Sequence, residues 1–310
     1  MKEGMHMSDN NRLILVFGAT GQQGGSVAFA LLKAGWSVRA LVRNPASNKS
    51  AALRDAGAEI VQGDFSDAAS LRAAMDGVHG VFSVQPSSPG GTVSDDEEIR
   101  FGIAIADLAR ACGVAHLVYS SVASVEAGVG LGHFESKARI EAHIGTLPVN
   151  ATIIRPSTFM EMLVMPGFGL DSGHFNFFMR PEQPLGVLAV SDIGQCVAAI
   201  FADPARFAGA TLEIASDTVT GRDLAALFTE AAGRTVTYAR FPDEVLVANP
   251  FLSKLTDMLD RAQPANETEL LELRRINPEM QSMRTWLAGD GREAFRAALG
   301  AGGAWAYNQQ

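Results

Sequence analysis

Leu13-Ile14-Leu15-Val16-Phe17-Gly18-Ala19-Thr20-Gly21-Gln22-Gln23-Gly24-Gly25 runs from a continuous apolar stretch into three glycines at three-residue spacing, Gly18, Gly21 and Gly24. Residues 26–34 then carry apolar side chains with a helical period. The order is strand, tight turn, helix. In that arrangement the missing side chains let a pyrophosphate approach the backbone, and the helix points its first amides and its dipole at the anion. A glycine-rich turn alone also suits an ordinary strand-to-helix connection. Here both flanking patterns are present, which points to dinucleotide binding through Gly18, Thr20, Gly21, Gln22, Gln23 and Gly24.

Working outward, residues 36–42 read as a second strand closing at Arg43-Asn44-Pro45. A carboxylate at this position normally hydrogen-bonds the ribose 2′-hydroxyl of NAD. Arg43 stands there instead, and a guanidinium matches a 2′-phosphate. The residue predicts NADP(H) over NAD(H), the other reading being a solvated or adenine-stacking arginine. Residues 59–62 form a third strand followed by Gly63-Asp64-Phe65. Asp64 is placed to accept from the adenine amino group or to cap the next helix, for which Asp67 or Ser66 is better positioned.

A fourth strand at 78–84 leads into a Ser/Gly/Pro-rich loop, Gln85 to Ser94, a candidate flap beside the ligand crevice. Helix 95–111 starts with acidic residues, as the helix dipole favours, and its expected core face is Ile99, Ile103, Ala106 and Ala109. A fifth strand, 116–121, ends in Ser120-Ser121; helix 133–144 and a sixth strand, 150–154, follow. Alternating strands and helices specify an α/β fold with a doubly wound parallel (Rossmann) sheet over 12–155. Beyond Pro156 the rhythm breaks. A smaller mixed α/β domain is expected over 156–310, with the chain returning to the first domain around 186–203. Its segment 157–180 holds Phe159, Met162 and Phe168 among many Phe and Met, which fits either an apolar substrate pocket or simply a second core.

The chain has 310 residues, 47% hydrophobic and 19% charged, and a formal net charge of -9. These values describe a soluble globular protein and disfavour direct nucleic-acid binding. Met1 to Asn11 shows no long apolar run and is expected to be a disordered leader, so a cytoplasmic location without membrane attachment is expected. Cys112 and Cys196 lie in helical patterns without metal-ligand spacing and read as reduced, buried small hydrophobes; no metal site is expected.

A serine after the fifth strand of a nucleotide fold raises the expectation of a short-chain dehydrogenase, whose Tyr protonates a carbonyl oxygen with help from a Lys four residues later. Lys137 is present, but His133 precedes it by four. The tyrosines, Tyr119, Tyr238 and Tyr307, do not supply the pair. His133 and Lys137 share one helical face. His133 reads as a proton donor near neutral pH or as a structural residue, and Lys137 as a ribose-holding group or as the partner of Glu141.

Gly18 to Val27, Val42-Arg43-Asn44-Pro45, Gly63-Asp64, His133-Phe134-Glu135-Ser136-Lys137, Ile154-Arg155-Pro156 and Met283-Arg284-Thr285-Trp286-Leu287 together resemble the NmrA-like family, a branch of atypical short-chain dehydrogenases. The resemblance covers nearly the whole chain. It implies that Gly18, Gly21, Gly24, Arg43, Asp64 and Phe65 hold the adenine half of NADP(H), and that Lys137 holds the nicotinamide ribose. Ser120, Ser121 and Pro156 would lie near the ring. It also implies two functions, an NADPH-dependent reductase of quinones, aryl ethers or dyes in which Lys137 is an acid/base or ribose-binding group, or a non-catalytic NADP(H) sensor acting on a protein partner. Joined to the residue reading, the expectation is an NADPH-dependent oxidoreductase of a small apolar acceptor such as a quinone or aromatic carbonyl, with His133 and Lys137 as catalytic candidates. A homodimer is a further possibility.

Overall fold

Strands buried on both faces need helices above and below them, and the first half of the chain supplies these in turn. The computed structural model describes residues 12–87, 92–123, 128, 131–261 and 267–301. The leader 1–11, the middle of the 85–94 loop and Tyr307 lie outside the described residues. Strands β1 (Leu13–Val16), β2 (Ser37–Val42), β3 (Glu59–Gln62), β4 (Gly80–Ser83), β5 (His116–Ser120) and β6 (Ala151–Pro156) alternate with helices α1 (Gln22–Lys33), α2 (Asn48–Asp55), α3 (Ala68–Met75), α4 (Asp95–Ala111) and α5 (Gly132–Thr146). Their order in the sheet is β6-β5-β4-β1-β2-β3, and each neighbouring pair is parallel. The order reverses between β1 and β4. A ligand crevice is expected outside the carboxyl ends of the strands at that reversal.

The helix ends follow local chemistry. Asp67 accepts from the amides of Ala69 and Ser70 and caps α3, and Ser94 with Glu97 forms a capping box on α4. The buried stripe of α4 is Glu98, Ile99, Phe101, Gly102, Ile105, Ala106 and Ala109. It is offset from the expected one: Ile103 is half-buried, and a carboxylate is inside. Gly102 is needed here because a Cβ on it would come within 2.5 Å of Ile140 Cδ1 on α5.

The chain divides into two compact units. One contains the residues up to Ser121, His133–Ile154 and Ile193–Leu212; the other contains Val122–Gly132, Arg155–Asp192 and the chain from Glu213 on. Strands β7 (Thr158–Phe159), β8 (His174–Phe177), β9 (Leu185–Leu188), β10 (Thr211–Ile214), β11 (Asp217–Val219) and β12 (Thr237–Arg240) complete the set. β10 extends the main sheet beside β6; the others form a three-stranded sheet, β11-β9-β7, and a two-stranded one, β12-β8. The core of the second unit takes in Phe168, Phe175, Phe177, Phe228, Trp286 and Phe295. Phe175 meets Phe228 edge-on at 5.0 Å, and Phe228 stacks on Phe295 at 5.2 Å. Most of the Phe/Met-rich segment is therefore core.

Buried Asp192 holds the late chain in this unit, accepting from the Gln281 amide at 3.0 Å and from Asn277 Nδ2 at 3.4 Å. Burial raises its carboxyl to about 6 against those hydrogen bonds. Neither Cys112 nor Cys196 is in a disulfide; Cys196 is buried and Cys112 is only half-buried. Among the described residues no group of three His, Cys, Asp or Glu side chains converges as a metal site, and no helix is long and apolar enough to cross a membrane.

The packing of α1 on β1 yields a direct test. A Cβ on Gly24 would lie 2.3 Å from Gly18 O and 2.7 Å from Phe17 O, both rigid backbone atoms, whereas one on Gly25 would meet only Ala19 O at 3.2 Å. Gly24→Ala is expected to lower the urea midpoint by the equivalent of about 1–3 kcal/mol. Gly25→Ala should cost less than half of that. Equal losses would show that helix–strand approach at Gly24 is not the constraint.

Candidate functional site

The glycine turn stands at the carboxyl end of β1, on the reversal of strand order. Gly18 adopts a φ of +64°, and a Cβ there would also press to 2.9 Å from Val84 Cγ1. Glycine supplies this left-handed conformation at no steric cost. Gly24 brings α1 against the strand. Gly21 differs from both: a Cβ on it would meet nothing closer than Gly18 O at 3.1 Å, and the residue is exposed. It is the N-cap of α1 and provides no side-chain cap, which leaves the orphan amides of the first turn without a cap from that residue. Thr20 is half-buried and Gln22 exposed beside them. Gln23 is partly committed, its Oε1 accepting from Ser120 Oγ at 2.6 Å, which ties the start of α1 to the end of β5.

A second recess lies at the ends of β2 and β3. Arg43, Gln62, Gly63, Asp64, Asp67 and Ser70 line a cavity of about 380 Å³. Arg43 is exposed there, and its backbone oxygen accepts from Gln62 Nε2 at 3.4 Å. Asp64 accepts from the Ser66 hydroxyl at 2.5 Å and the Ser66 amide at 2.9 Å. Those two bonds and the Arg43 charge hold its carboxyl below the usual carboxylate range. One oxygen of Asp64 thus shapes the turn, while Asp67 supplies the helix cap. Phe65 packs at 5.8 Å from Phe17 and 5.5 Å from Phe101; it is half-buried and forms an aromatic wall continuous with the core.

The ends of β4 and β5 hold the least compensated polar groups. Gln85 is buried and donates to Ser83 Oγ at 2.7 Å. Its Oε1, like Ser121 Oγ and the Tyr119 hydroxyl, has no hydrogen-bond partner among the described residues. Buried polar atoms left this way cost free energy unless a ligand or water satisfies them.

Lys137 projects from α5 toward the same strand end, with Nζ 3.5 Å from Ser120 O and 5.8 Å from the Tyr119 ring centre. The expected helix neighbour Glu141 is not its partner. That partner is Glu98 of α4, 3.0 Å away and fully buried, whose other oxygen accepts from Ser136 Oγ at 2.6 Å. His133 precedes Lys137 by one turn. Its burial, and secondarily the Lys137 charge, push its imidazole down to about 4. At neutral pH the ring is uncharged, which corrects the expectation of a histidine poised to release a proton near pH 7. Tyr119 does not replace the missing tyrosine: full burial, with Glu98 and then Glu141 nearby, raises its phenol well above the usual range.

In the second unit Pro156 is buried at the end of β6, with its carbonyl accepting from the Ala123 amide at 3.0 Å. Phe159 is half-buried, and Met162 is 45% exposed. Phe168 departs from its expected pocket role, lying in the core between Phe175 and Phe177. A cavity of about 260 Å³ in this unit is lined by Leu131, Lys254, Asp257, Met258 and Arg261.

Sequence reasoning overlooked Glu98 and Gln85. Glu98 was legible, since it falls three and four residues before Phe101 and Gly102 on the buried stripe of α4; its acidic neighbours Asp95, Asp96 and Glu97 disguised it as dipole chemistry. Nothing in the local sequence marks Gln85.

Comparison with known proteins gives a consistent result. Residues 10–287 match the NmrA-like family. An NmrA-like family domain-containing oxidoreductase of Aspergillus hancockii, hkm9, is 33% identical over 250 residues, covering 74% of this chain and 75% of that protein. Among solved structures, the negative transcriptional regulator NmrA in complex with NADP superposes with a TM-score of 0.75 at 19% identity, covering 93% of this chain and 98% of that one. An NADPH-dependent quinone oxidoreductase of Escherichia coli gives 0.72 at 21% identity, covering 89% and 98%. At these identities the structural likeness speaks to the fold. With an alternating parallel sheet, a Gly18-Gly21-Gly24 turn and a family match along nearly its full length, the chain belongs to the NmrA-like family.

Proposed function

We propose that this protein is an NADPH-dependent reductase of small apolar quinones. The observation that carries the cofactor reading is the pair of recesses in the first unit: an uncapped, side-chain-free helix start at Gly21, and a cavity at the end of β2 where Arg43 stands and the usual ribose-binding carboxylate does not. The first suits a pyrophosphate; the second suits a 2′-phosphate. Gly18, Thr20, Gly21, Gln22 and Gln23 would hold the phosphates, Arg43 and Asp64 the adenosine end with Phe65 as its wall, and Lys137 the nicotinamide ribose. Oxidoreductase naming of the Aspergillus relative and the NADP or NADPH named for the two structural relatives agree with this reading.

The bound nicotinamide would supply the hydride. What the protein lacks then narrows the acceptor. Among the described residues no tyrosine is paired with Lys137 as a proton donor, Lys137 is engaged by Glu98, and His133 is neutral at pH 7. Hydride addition to an unactivated carbonyl leaves an alkoxide about as basic as hydroxide, which needs a positioned acid. Hydride addition to a quinone leaves a phenolate, with a conjugate acid near 10, which water can protonate. Quinones are therefore favoured over aromatic ketones. The same lack of a donor supports a second reading, an NADP(H) sensor without turnover, in keeping with the regulator named among the structural relatives.

Loss of nicotinamide absorbance with a panel of acceptors separates these readings. Quinones should turn over at least about 100-fold faster than aromatic ketones of similar size. Tight NADPH binding with no turnover on any quinone would establish the sensor. Arg43→Ala should weaken NADPH by about 10–100-fold, as loss of a charge-assisted contact implies, and leave NADH nearly unchanged; equal losses would remove Arg43 from the 2′-phosphate.

The low imidazole value of His133 predicts a stability effect with a defined sign. The unfolded chain takes up a proton near 6.5, while the native site resists until about 4. Stability is therefore lost as pH falls between those values. His133→Gln should flatten the fall in thermal midpoint across that window relative to the parent protein, and identical profiles would show that His133 is not held neutral.

A further inference from the structure

We propose that Glu98 is the positioning residue of Lys137: a buried carboxylate on the neighbouring helix that fixes where the ammonium points, leaving one of its hydrogens for a ligand oxygen. The inference deepens the reading of Lys137 given above and rests on it for the ligand, but the geometry stands within the first unit alone. Lys137 is 6% exposed and Glu98 0%. Their 3.0 Å contact neutralises both charges where water does not. An ammonium has three donors. Ser120 O accepts one of them at 3.5 Å, whereas Glu98 Oε1 lies 3.0 Å from Nζ as an ion-pair partner outside hydrogen-bond geometry, so a hydrogen remains for a ligand oxygen.

The orientation of Glu98 is itself enforced. Ser136 Oγ, which also lies 3.0 Å from the His133 carbonyl, donates to Glu98 Oε2 at 2.6 Å. One carboxylate oxygen is thereby hydrogen-bonded and the other ion-paired, by consecutive residues of α5. One turn further along, the contact between Gly102 and Ile140 sets how closely α4 and α5 approach. That spacing brings a short hydroxyl and a long ammonium to the same carboxylate. Replacing such a buried pair with apolar residues of similar volume is often neutral or stabilising, so stability is a poor reason for keeping it here. A lysine bound only by solvent would spread over many rotamers, whereas this one presents a single donor at the carboxyl end of β5.

The test reads Lys137 directly as well as the cofactor. Reductive methylation of the full chain, with the modified lysine quantified by mass spectrometry, measures access to Nζ; fluorescence titration measures NADPH affinity. In Glu98→Gln, Lys137 should be methylated at least about fivefold faster than in the parent, and NADPH should bind roughly tenfold more weakly. Ser136→Ala, which removes only the hydroxyl, should move both in the same direction by less, and it keeps the test alive if Glu98→Gln folds poorly. Ile105→Val loosens α4 without touching the pair and should change neither. The double variant Glu98→Gln/Lys137→Met should bind NADPH no more weakly than Lys137→Met. Unchanged methylation in folded Glu98→Gln and Ser136→Ala overturns the proposal, as does an equal rise in Ile105→Val. Faster methylation with NADPH affinity unaltered in both Glu98→Gln and Lys137→Met supports the positioning by Glu98 and instead removes Lys137 from the cofactor site.

Discussion

A lysine ammonium stripped of water needs an anion, and in this protein that need links three helices, one strand and the candidate site. Lys137 is buried on α5 against Glu98 of α4, with Ser120 of β5 beside it. Neither charge would be tolerated alone at this depth. The pair therefore fixes the spacing and rotation of α4 and α5 together, and Gly102 is the residue that lets them come close enough. Ser120, whose carbonyl faces the ammonium, uses its hydroxyl to hold Gln23 at the start of α1. A chain of contacts thus runs from the buried carboxylate to the glycine turn without leaving the first unit.

The glycine turn is the second constraint, and its three glycines serve different ends. Gly18 supplies a backbone conformation, Gly24 supplies contact between helix and strand, and Gly21 stands exposed at the start of α1. The first two fix the position of α1. A motif read as one signal in the sequence is therefore two structural requirements and one exposed position, which the proposed cofactor reading uses.

That distinction explains what was legible in the sequence. The parallel sheet was readable because buried strands such as Ile14–Val16 and amphipathic helices such as α4 differ in period, and Asp67 and Thr220 mark helix starts by side-chain chemistry seen directly in their caps. The short strands β7, β8, β9 and β11 were not legible as elements, since two to four residues among glycines and prolines give too little periodicity. Phe168 could not be assigned between pocket and core because composition is the same in both; the aromatic packing of Phe175 and Phe177 decides it. At the site, positions near the backbone turn were visible, and long-range partners were not. Glu141 was the natural partner for Lys137 at one helical turn, yet the actual carboxylate is 39 residues earlier in the chain (137 − 98), a pairing that only the packing of α4 on α5 creates.

The same pairing bears on chemistry. A carboxylate 3.0 Å from Lys137 holds its ammonium in place, while burial keeps His133 neutral. The site then offers orientation and charge in place of acid catalysis. An acceptor whose reduced form is already a weak base asks for nothing more, whereas a carbonyl that becomes an alkoxide asks for the proton donor that a tyrosine at position 133 would supply. The histidine at 133 and the buried ion pair one turn away thus agree with the proposed quinone acceptor, whose reduced form leaves its proton to water.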